Sequence, residues 1–333
     1  LVWGAPVSCA AGDAFAEWIT DMPTSTLLQV RVGQHSDAGR KSVNQDFHGA
    51  SLPDGPQRQS KGVAVALADG IGSSDVRDVA AAAAVHALLV DYYCTSDAWS
   101  VKRSAQCVVA ATNSWLHAQT RRSPYRFDQD RGYVCTLSAL IVKGATAHLF
   151  HVGDTRIYRV QGRTLEQLTE DHRVCMTDGR SYLGRALGVQ PQTEIDYRSL
   201  PVDAGDMFVL STDGVHEHMP PGAIVQAIAT HATDLDAAAR SIVQQALENG
   251  SPDNCTVQIV AIDRVAPADA SEMQHQRAQL RLPPVLSARQ QFEGYEIVRE
   301  LHTSHRSHVY LATEPGSDRQ VVIKTPSIDR QED

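Results

Sequence analysis

The sequence predicts a fold of the α+β class, built from groups of short strands and a few long helices. Residues 27–35 alternate apolar and polar side chains with the period of two that is typical of a half-buried strand. Residues 76–93 carry an alanine-rich run and residues 102–119 an apolar face, which favours two long helices. Three short apolar segments with tight turns between residues 135 and 160 then predict a return to strands.

The other elements follow from the same patterns. Residues 63–68 form a continuous apolar run, as in a buried strand, and the run ends at Asp69-Gly70. Asp75 and Asp78 lie near the start of the first long helix, where carboxylates favour the helix dipole. The further predicted strands are residues 135–142, 146–151, 156–160, 207–211 and 255–262, and the further predicted helices are residues 221–230 and 235–248.

Length and charge limit the classes of function. The chain has 333 residues, with 30 Lys and Arg against 39 Asp and Glu, and a formal net charge of −9. At roughly 150 residues per domain, this length predicts about two domains, or one large domain with an appendage. The acidic balance argues against non-specific binding to nucleic acid or to an anionic membrane surface, so we expect no nucleic-acid partner.

Two further patterns bear on location. The longest apolar run, residues 79–90, is interrupted by His86 and is well short of the ~20 residues that a membrane span needs. The six cysteines are scattered without CxxC spacing, which favours reduced thiols in a cytosolic protein. We therefore expect a cytoplasmic chain without a membrane span. This expectation does not extend to a membrane anchor that a full-length protein could carry outside this chain.

Aspartates at strand ends are the most informative pattern. Asp69, Asp154 and Asp213 each end an apolar run beside a glycine, Asp253 lies two residues before a strand, and Asp46 ends the first strand region. A single Asp-Gly usually marks only a turn. If the fold brought these carboxylates to one edge, they would repel one another unless cations lay between them.

The oxygen-only character of this set points to particular cations. Carboxylate and carbonyl oxygens suit Mg²⁺ or Mn²⁺ rather than Zn²⁺, and the histidines lack zinc-type spacing. Two such ions ~3.5–4 Å apart can activate a water molecule and hold a phosphoryl oxygen. A pair of divalent ions is therefore the functional interpretation of the aspartates, and isolated turns are the alternative that spacing alone leaves open.

Seven short motifs follow one another in a fixed order between about residues 27 and 263. In chain order they are Asn44-Gln45-Asp46, Ala68-Asp69-Gly70, Val152-Gly153-Asp154, Leu168-Thr169-Glu170-Asp171-His172, Arg185-Ala186-Leu187-Gly188, Ser211-Thr212-Asp213-Gly214 and Asp253-Asn254-Cys255-Thr256-Val257. Together they resemble the motifs of the metal-dependent protein phosphatases of type 2C. The family's fold is a four-layer α/β/β/α arrangement, a central β-sandwich flanked by helices, and the predicted element order is compatible with it. The implied activity is hydrolysis of phosphoserine and phosphothreonine in proteins by water that two divalent ions activate.

The resemblance implies a role for each matching residue. Asp69 would bridge two Mn²⁺ or Mg²⁺ ions, and the carbonyl oxygen of Gly70 would help to hold one of them. Asp213 and Asp253 would complete the ligands of the other ion. Asp46 would orient water beside the ions without coordinating them directly. These four aspartates are the predicted catalytic residues.

Other positions depart from the family's pattern. Asp154 matches an aspartate of a third, weaker metal site, but Glu217 stands where a second aspartate is common. Lys41, with Arg40 beside it, stands where a phosphate-binding arginine is often found, and lysine binds phosphate only as a point charge. Ile71 replaces a histidine that is a candidate general acid in the animal enzymes, so water would have to protonate the leaving group.

The C-terminal segments look like the first three strands of a protein kinase N-lobe. They are residues 292–297, 309–312 and 321–324, in which Lys324 would be the lysine that contacts ATP phosphates. The chain ends before any catalytic loop, so we expect no kinase activity from this fragment. An unrelated short hairpin is the alternative. The resemblance suggests a bacterial bifunctional phosphatase–kinase.

We therefore expect four segments and one principal function. The segments are an N-terminal extension (1–21), a metal-dependent phosphatase domain (22–264), a linker (265–291) and truncated kinase N-lobe strands (292–333). The expected partner is a phosphorylated protein, with the chain's own or a cognate Ser/Thr kinase as a candidate.

The alternative function is a non-catalytic, phosphatase-like regulatory or docking domain of a protein kinase. Retention of all four predicted catalytic aspartates argues against it, because a docking module has no need of buried carboxylates. Gln45, where the family often has Glu, and Ile71 keep the alternative open.

Overall fold

The structure, a computed structural model, describes residues 27–71, 76–128, 131–175, 181–266, 284–304, 307–316 and 319–327. The chain divides into two compact units, Leu1–Asp269 and Ala270–Asp333. The strands of the first unit are β1 (Gln29–Asp37), β2 (Asp46–Ser51), β3 (Val63–Asp69), β4 (Leu137–Lys143), β5 (Thr146–Val152), β6 (Arg156–Gln161), β7 (Thr164–Gln167), β8 (Arg173–Cys175), β9 (Ser181–Leu183), β10 (Asp196–Pro201), β11 (Met207–Ser211) and β12 (Cys255–Arg264). Its helices are α1 (Gly55–Lys61), α2 (Arg77–Cys94), α3 (Val101–Arg122), α4 (Asp213–His216), α5 (Pro221–Thr230) and α6 (Leu235–Glu248).

Two five-stranded antiparallel sheets form the centre of the first unit. One has the strand order β1-β12-β11-β6-β7 and the other the order β10-β5-β4-β3-β2. The short strands β8 and β9 pair separately as a two-stranded ribbon.

The apolar core between the sheets follows from the period of two along the strands. In β3, Val63, Val65 and Leu67 are buried in one cluster, which also holds Phe208 of β11 and Val260 of β12. These residues come from both sheets, so this cluster fills the interior of the sandwich.

The opposite faces of the sheets are covered by helices. The alternate residues of β3, Ala64, Ala66 and Ala68, are buried with Ala81 and Ala84 of α2, and their small side chains allow the helix to approach the sheet closely. A third cluster packs α5 and α6 on β11 and β12. The predicted four-layer α/β/β/α arrangement is confirmed. Among the helices in the described part of the chain, none is long and apolar enough to cross a membrane.

The second unit contains a four-stranded antiparallel sheet. Its strands are β13 (Gln291–Phe292), β14 (Tyr295–Thr303), β15 (Ser307–Thr313) and β16 (Gln320–Pro326), paired in that order. Its small core includes Leu286, Ile297, Tyr310 and Ala312. Leu286 of this core and Gln291 of β13 lie within the segment 265–291 that the sequence predicts to be a linker.

Candidate metal centre

Strand register brings the predicted aspartates to one edge of the sandwich. Asp46 begins β2 and lies opposite Asp69 at the end of β3. In the other sheet β11 ends at Ser211, directly before Thr212 and Asp213, and Ser211 lies opposite Val257 near the start of β12, which Asp253 precedes by two residues. Ser211 is also opposite Arg156 at the start of β6, two residues after Asp154.

Asp46 links the two sheets at this edge. Its Oδ2 accepts hydrogen bonds from Thr256 Oγ1 at 2.6 Å and from Thr212 Oγ1 at 3.0 Å. Both threonines belong to the other sheet layer and are fully buried, and Asp46 itself is only 7% exposed. A buried carboxylate needs such partners, and these two fix its position.

Asp69 and Gly70 are held by the neighbouring strand. The Asp69 amide donates to Thr136 Oγ1 at 2.8 Å, and the Thr136 amide donates to the Asp69 carbonyl oxygen at 2.8 Å. A Cβ atom at position 70 would lie 2.5 Å from the carbonyl oxygen of Arg77, the first residue of α2. Glycine is therefore required where this helix approaches the end of β3.

The loop at residues 38–45 brings a lysine to the edge. Gly39 turns the chain with a φ of +60°, and a Cβ atom there would lie 2.5 Å from the Asp253 carbonyl oxygen. Asn254 Nδ2 donates to the carbonyl oxygens of Ala38 and Val43 at 2.9 and 3.1 Å. The loop is thereby fixed against Asp253, and the Lys41 ammonium forms an ion pair with that carboxylate. Arg40 is exposed.

Arg173 joins three further carboxylates. Its Nε donates to Asp154 Oδ2 at 2.8 Å, its Nη1 to Glu217 Oε1 at 2.8 Å and its Nη2 to Asp213 Oδ2 at 3.4 Å. The sequence does not reveal this arginine as a functional residue. Its only signal is its position directly after Asp171-His172, in a motif that by itself indicates no charge partner.

The base of the β8–β9 ribbon is fixed by His172. The Gly153 amide donates to His172 Nδ1 at 3.0 Å, so the ring proton of the neutral side chain lies on Nε2, which donates to Asp196 Oδ2 at 2.9 Å. His151 packs against the same ring, with centroids 4.8 Å apart, and bonds to Ser138 and to the Glu170 carbonyl oxygen. Both histidines are therefore bound within the protein.

The electrostatics of the edge favour added positive charge. Burial, together with the neighbouring carboxylates, raises the pKa of Asp213 to about 7 and that of Asp69 well above its usual range. Burial likewise raises the pKa of Asp46 to about 6, despite the hydrogen bonds from Thr256 and Thr212, which oppose the shift. Each of these groups is more easily ionised when a cation lies beside it.

The donor chemistry fits a hard divalent cation, because it consists of carboxylate oxygens that repel one another. In the described ranges, no three Asp, Glu, His or Cys groups stand in an arrangement that could hold a metal ion as they are. Lys41 and Arg173 instead provide the positive charge beside these carboxylates. Binding of an ion at Asp253 therefore requires the Lys41 ammonium to move aside.

Comparison with known proteins shows the family of the chain. A family model described as protein phosphatase 2C matches residues 34–251, and the chain belongs to that family. The chain is 29% identical over 218 residues to the "Serine/threonine phosphatase stp" of Listeria welshimeri, covering 59% of this chain and 83% of that protein. It is 27% identical over 256 residues to the "Serine/threonine protein phosphatase PstP" of Mycobacterium tuberculosis, covering 71% of this chain and 45% of that protein.

The fold is shared with solved structures of the family. The catalytic domain of PstP, in complex with two manganese ions, superposes with a TM-score of 0.60 at 26% identity, covering 71% of this chain and 99% of that domain. A serine/threonine phosphatase from Streptococcus agalactiae has the same TM-score of 0.60 at 22% identity, which supports the fold alone. The chain is therefore a metal-dependent protein phosphatase of this family, and a non-catalytic docking domain is not favoured.

Proposed function

We propose that the carboxylate edge of the first unit hydrolyses phosphoserine and phosphothreonine monoesters in proteins. The observation that carries the proposal is the convergence of Asp46, Asp69, Asp213 and Asp253 at one edge of the sandwich, where burial and neighbouring carboxylates raise the pKa values of Asp46, Asp69 and Asp213. Such a set is costly to the fold without cations, and its oxygen ligands suit Mn²⁺ or Mg²⁺.

Each residue would hold a different part of the centre. Asp69 would bridge two ions, and the Gly70 carbonyl oxygen would contribute to one of them. Asp213 and Asp253 would hold the second ion. When bound, such ions supply Lewis acidity toward the phosphoryl oxygens and lower the pKa of water. Asp46, fixed by Thr256 and Thr212, would orient this water without coordinating the ions.

Lys41 is placed to meet the phosphate. Its side chain is 37% exposed and its ammonium lies at the carboxylate edge through its pair with Asp253. We propose that the Lys41 ammonium would leave Asp253 and contact the substrate phosphate when the Asp253 carboxylate holds an ion. Arg40, exposed on the same turn, would add positive charge at longer range. Ile71 offers no proton, so the leaving alkoxide would take its proton from solvent.

We further propose the division of the chain that the sequence suggests. The phosphatase domain would span residues 22–264, with residues 1–21 as an extension and residues 265–291 as a linker. Residues 292–333 would be kinase N-lobe strands that present Lys324 on β16, and a Ser/Thr kinase would be a natural substrate. The antiparallel pairing of β14, β15 and β16 supports the kinase resemblance. The cytoplasmic location and the choice between Mn²⁺ and Mg²⁺ remain predictions. A third ion at Asp154 and Glu217, which the family resemblance implies, would have to displace Arg173 from these carboxylates.

Phosphate release from phosphothreonine and phosphoserine peptides tests this function. The whole chain would be assayed with Mn²⁺, with Mg²⁺ and with chelator, beside Asp213→Asn. Asp263→Asn is a matched control, because Asp263 pairs with Arg31 on the surface. We expect turnover that needs metal, is lost in Asp213→Asn and is unchanged in the control. Metal binding without turnover would instead indicate a regulatory domain.

A further inference from the structure

Arg173 forms ion pairs with three carboxylates of the carboxylate edge. Its guanidinium reaches Asp154 and Glu217 at 2.8 Å each and Asp213 at 3.4 Å. Asp154 lies in the turn before β6, whereas Asp213 begins α4 and Glu217 directly follows that helix. A planar fork with several N–H donors can satisfy them together, which a single ammonium cannot.

We propose that Arg173 is the chain's own cation for Asp154, Asp213 and Glu217, and that it occupies the place of a further divalent ion. The centre would then hold two ions and not three. This inference rests on the proposed function, since it concerns the same carboxylate edge.

The distances divide the three carboxylates into two kinds. Asp154 and Glu217 each make a short, charge-assisted hydrogen bond to Arg173, so the guanidinium already occupies these two acceptors. The contact to Asp213 is longer and weaker, which leaves that carboxylate available to another cation. Arg173 therefore competes with a divalent ion for Asp154 and Glu217. It leaves Asp213 available to the two proposed divalent ions.

Arg173 is also held in place by contacts of its neighbours within the protein. The preceding Asp171 pairs with Arg156 of β6 at 2.7 Å, and His172 is fixed by Gly153 and Asp196. Two anchored neighbours reduce the conformational freedom of the backbone at position 173. The guanidinium thus starts close to its partners, which strengthens its competition with an ion from solution.

Formal charge supports the same count of ions. The edge carries six carboxylates: Asp46, Asp69, Asp154, Asp213, Asp253 and Glu217. Two divalent ions together with Lys41 and Arg173 carry six positive charges, so charge balance is reached without a third ion. A third ion would have to displace Arg173 or would leave excess positive charge.

Mn²⁺ binding stoichiometry tests this proposal without relying on activity. Isothermal titration and the electron paramagnetic resonance signal of free Mn²⁺ would be recorded for the whole wild-type chain, Arg173→Ala, and the double variant Arg173→Ala with Asp154→Asn. Arg31→Ala serves as the control, because it removes an arginine that pairs with Asp263 away from this edge. Circular dichroism checks folding, and Arg173→Gln replaces Arg173→Ala if the alanine variant does not fold.

We expect two Mn²⁺ ions in the wild type and the control, three in Arg173→Ala, and two again in the double variant. Three ions in the wild type would overturn the inference alone and leave the proposed function intact. Two ions in a folded Arg173→Ala protein would also overturn the inference alone. Fewer than two ions in the wild type would overturn the binuclear centre itself.

Discussion

Thr256 Oγ1 donates a hydrogen bond to Asp46 Oδ2 at 2.6 Å, across the gap between the two sheets of the sandwich. This hydrogen bond joins the start of β12 to the start of β2, two of the strands whose ends form the carboxylate edge. A hydroxyl that favours the ionised form of a buried aspartate also opposes the rise in its pKa.

Thr256→Val should weaken metal binding without removing a carboxylate. Valine has nearly the same shape, but it leaves Asp46 with one hydrogen bond fewer in a buried site, so the pKa of Asp46 should rise further. We expect a loss of about 1–3 kcal/mol of folding stability and a drop of about 10-fold or more in Mn²⁺ affinity. Titration calorimetry and chemical unfolding measure the two effects. Thr256→Ser keeps the hydroxyl and should retain most of the folding stability and of the Mn²⁺ affinity. Equal losses in the serine and valine variants would show that the hydroxyl of Thr256 does not stabilise Asp46.

Asp213→Asn should stabilise the metal-free protein while it abolishes the response to metal. The pKa of Asp213 is raised from 3.8 to about 7 by burial and by neighbouring carboxylates, so at pH 8 its ionised form destabilises the fold. We expect a gain of about 1–3 kcal/mol in chelator at pH 8, after loss of the weak Arg173 contact. The gain should shrink as pH falls through 7, because the wild-type carboxyl then protonates. Thermal unfolding with chelator and with Mn²⁺ is the measurement.

The control for this prediction is Asp263→Asn on the surface, where we expect a change within about 0.5 kcal/mol. A loss of stability for Asp213→Asn in chelator would show that the carboxylate edge is not under repulsive strain. If Mn²⁺ raised the Tm of Asp213→Asn as much as that of the wild type, Asp213 would not be a ligand of the metal centre.

Gly70→Ala should disturb the centre through the backbone. The added methyl group would lie 2.5 Å from the Arg77 carbonyl oxygen, so the start of α2 or the end of β3 must move. We expect destabilisation of about 1–3 kcal/mol from this overpacking together with weaker Mn²⁺ binding. Gly222→Ala in α5 is the matched control, since nothing lies within 4 Å of its Cβ position, and it should be neutral or slightly stabilising. Similar stability of the two variants would contradict the close approach at Gly70.

His151 should make the fold sensitive to acid. Burial, with the nearby His172, lowers the pKa of His151 to about 4 from 6.5. The unfolded chain therefore binds a proton at this histidine first, and stability from the neutral ring is present above pH 6.5 and is lost as pH falls toward 4. The expected loss is about 3 kcal/mol over that window. His151→Gln should reduce the slope of unfolding free energy against pH in chelator, and an unchanged slope would exclude His151 as its source.

Strong periodicity explains which elements could be predicted. The sequence indicates β3, β4, β5, β11 and β12 because their apolar runs are buried on both faces in the sandwich. The helices α2, α3, α5 and α6 were predicted within a few residues, since their apolar residues pack on one sheet face. The structure adds β2, β7 and β10, which were missed. In β2, Gly49 and polar residues such as His48 mask the apolar pattern, and the strand is specified by its pairing with β3.

Only the aspartates of the candidate site could be predicted from the sequence, because they stand at the ends of predicted strands. Asp46, Asp69, Asp213 and Asp253 could be singled out because aspartate is unusual in strands. The partners that fix them could not, because Thr256 and Arg173 lie 210 and 40 residues away from the groups they contact, Asp46 and Asp213. Contacts of this separation depend on sheet pairing and on the β8–β9 ribbon, which local patterns do not specify.

The dependence of phosphate release on the number of bound Mn²⁺ ions is the decisive measurement. Initial rates with a phosphothreonine peptide would be measured on the whole chain across an Mn²⁺ titration, with bound ions counted in the same samples. We expect negligible rates in chelator and with one ion bound, and a rise to the full rate as the second ion binds. A full rate in chelator, or with a single ion, would contradict a phosphatase that works through two ions held by Asp69, Asp213 and Asp253.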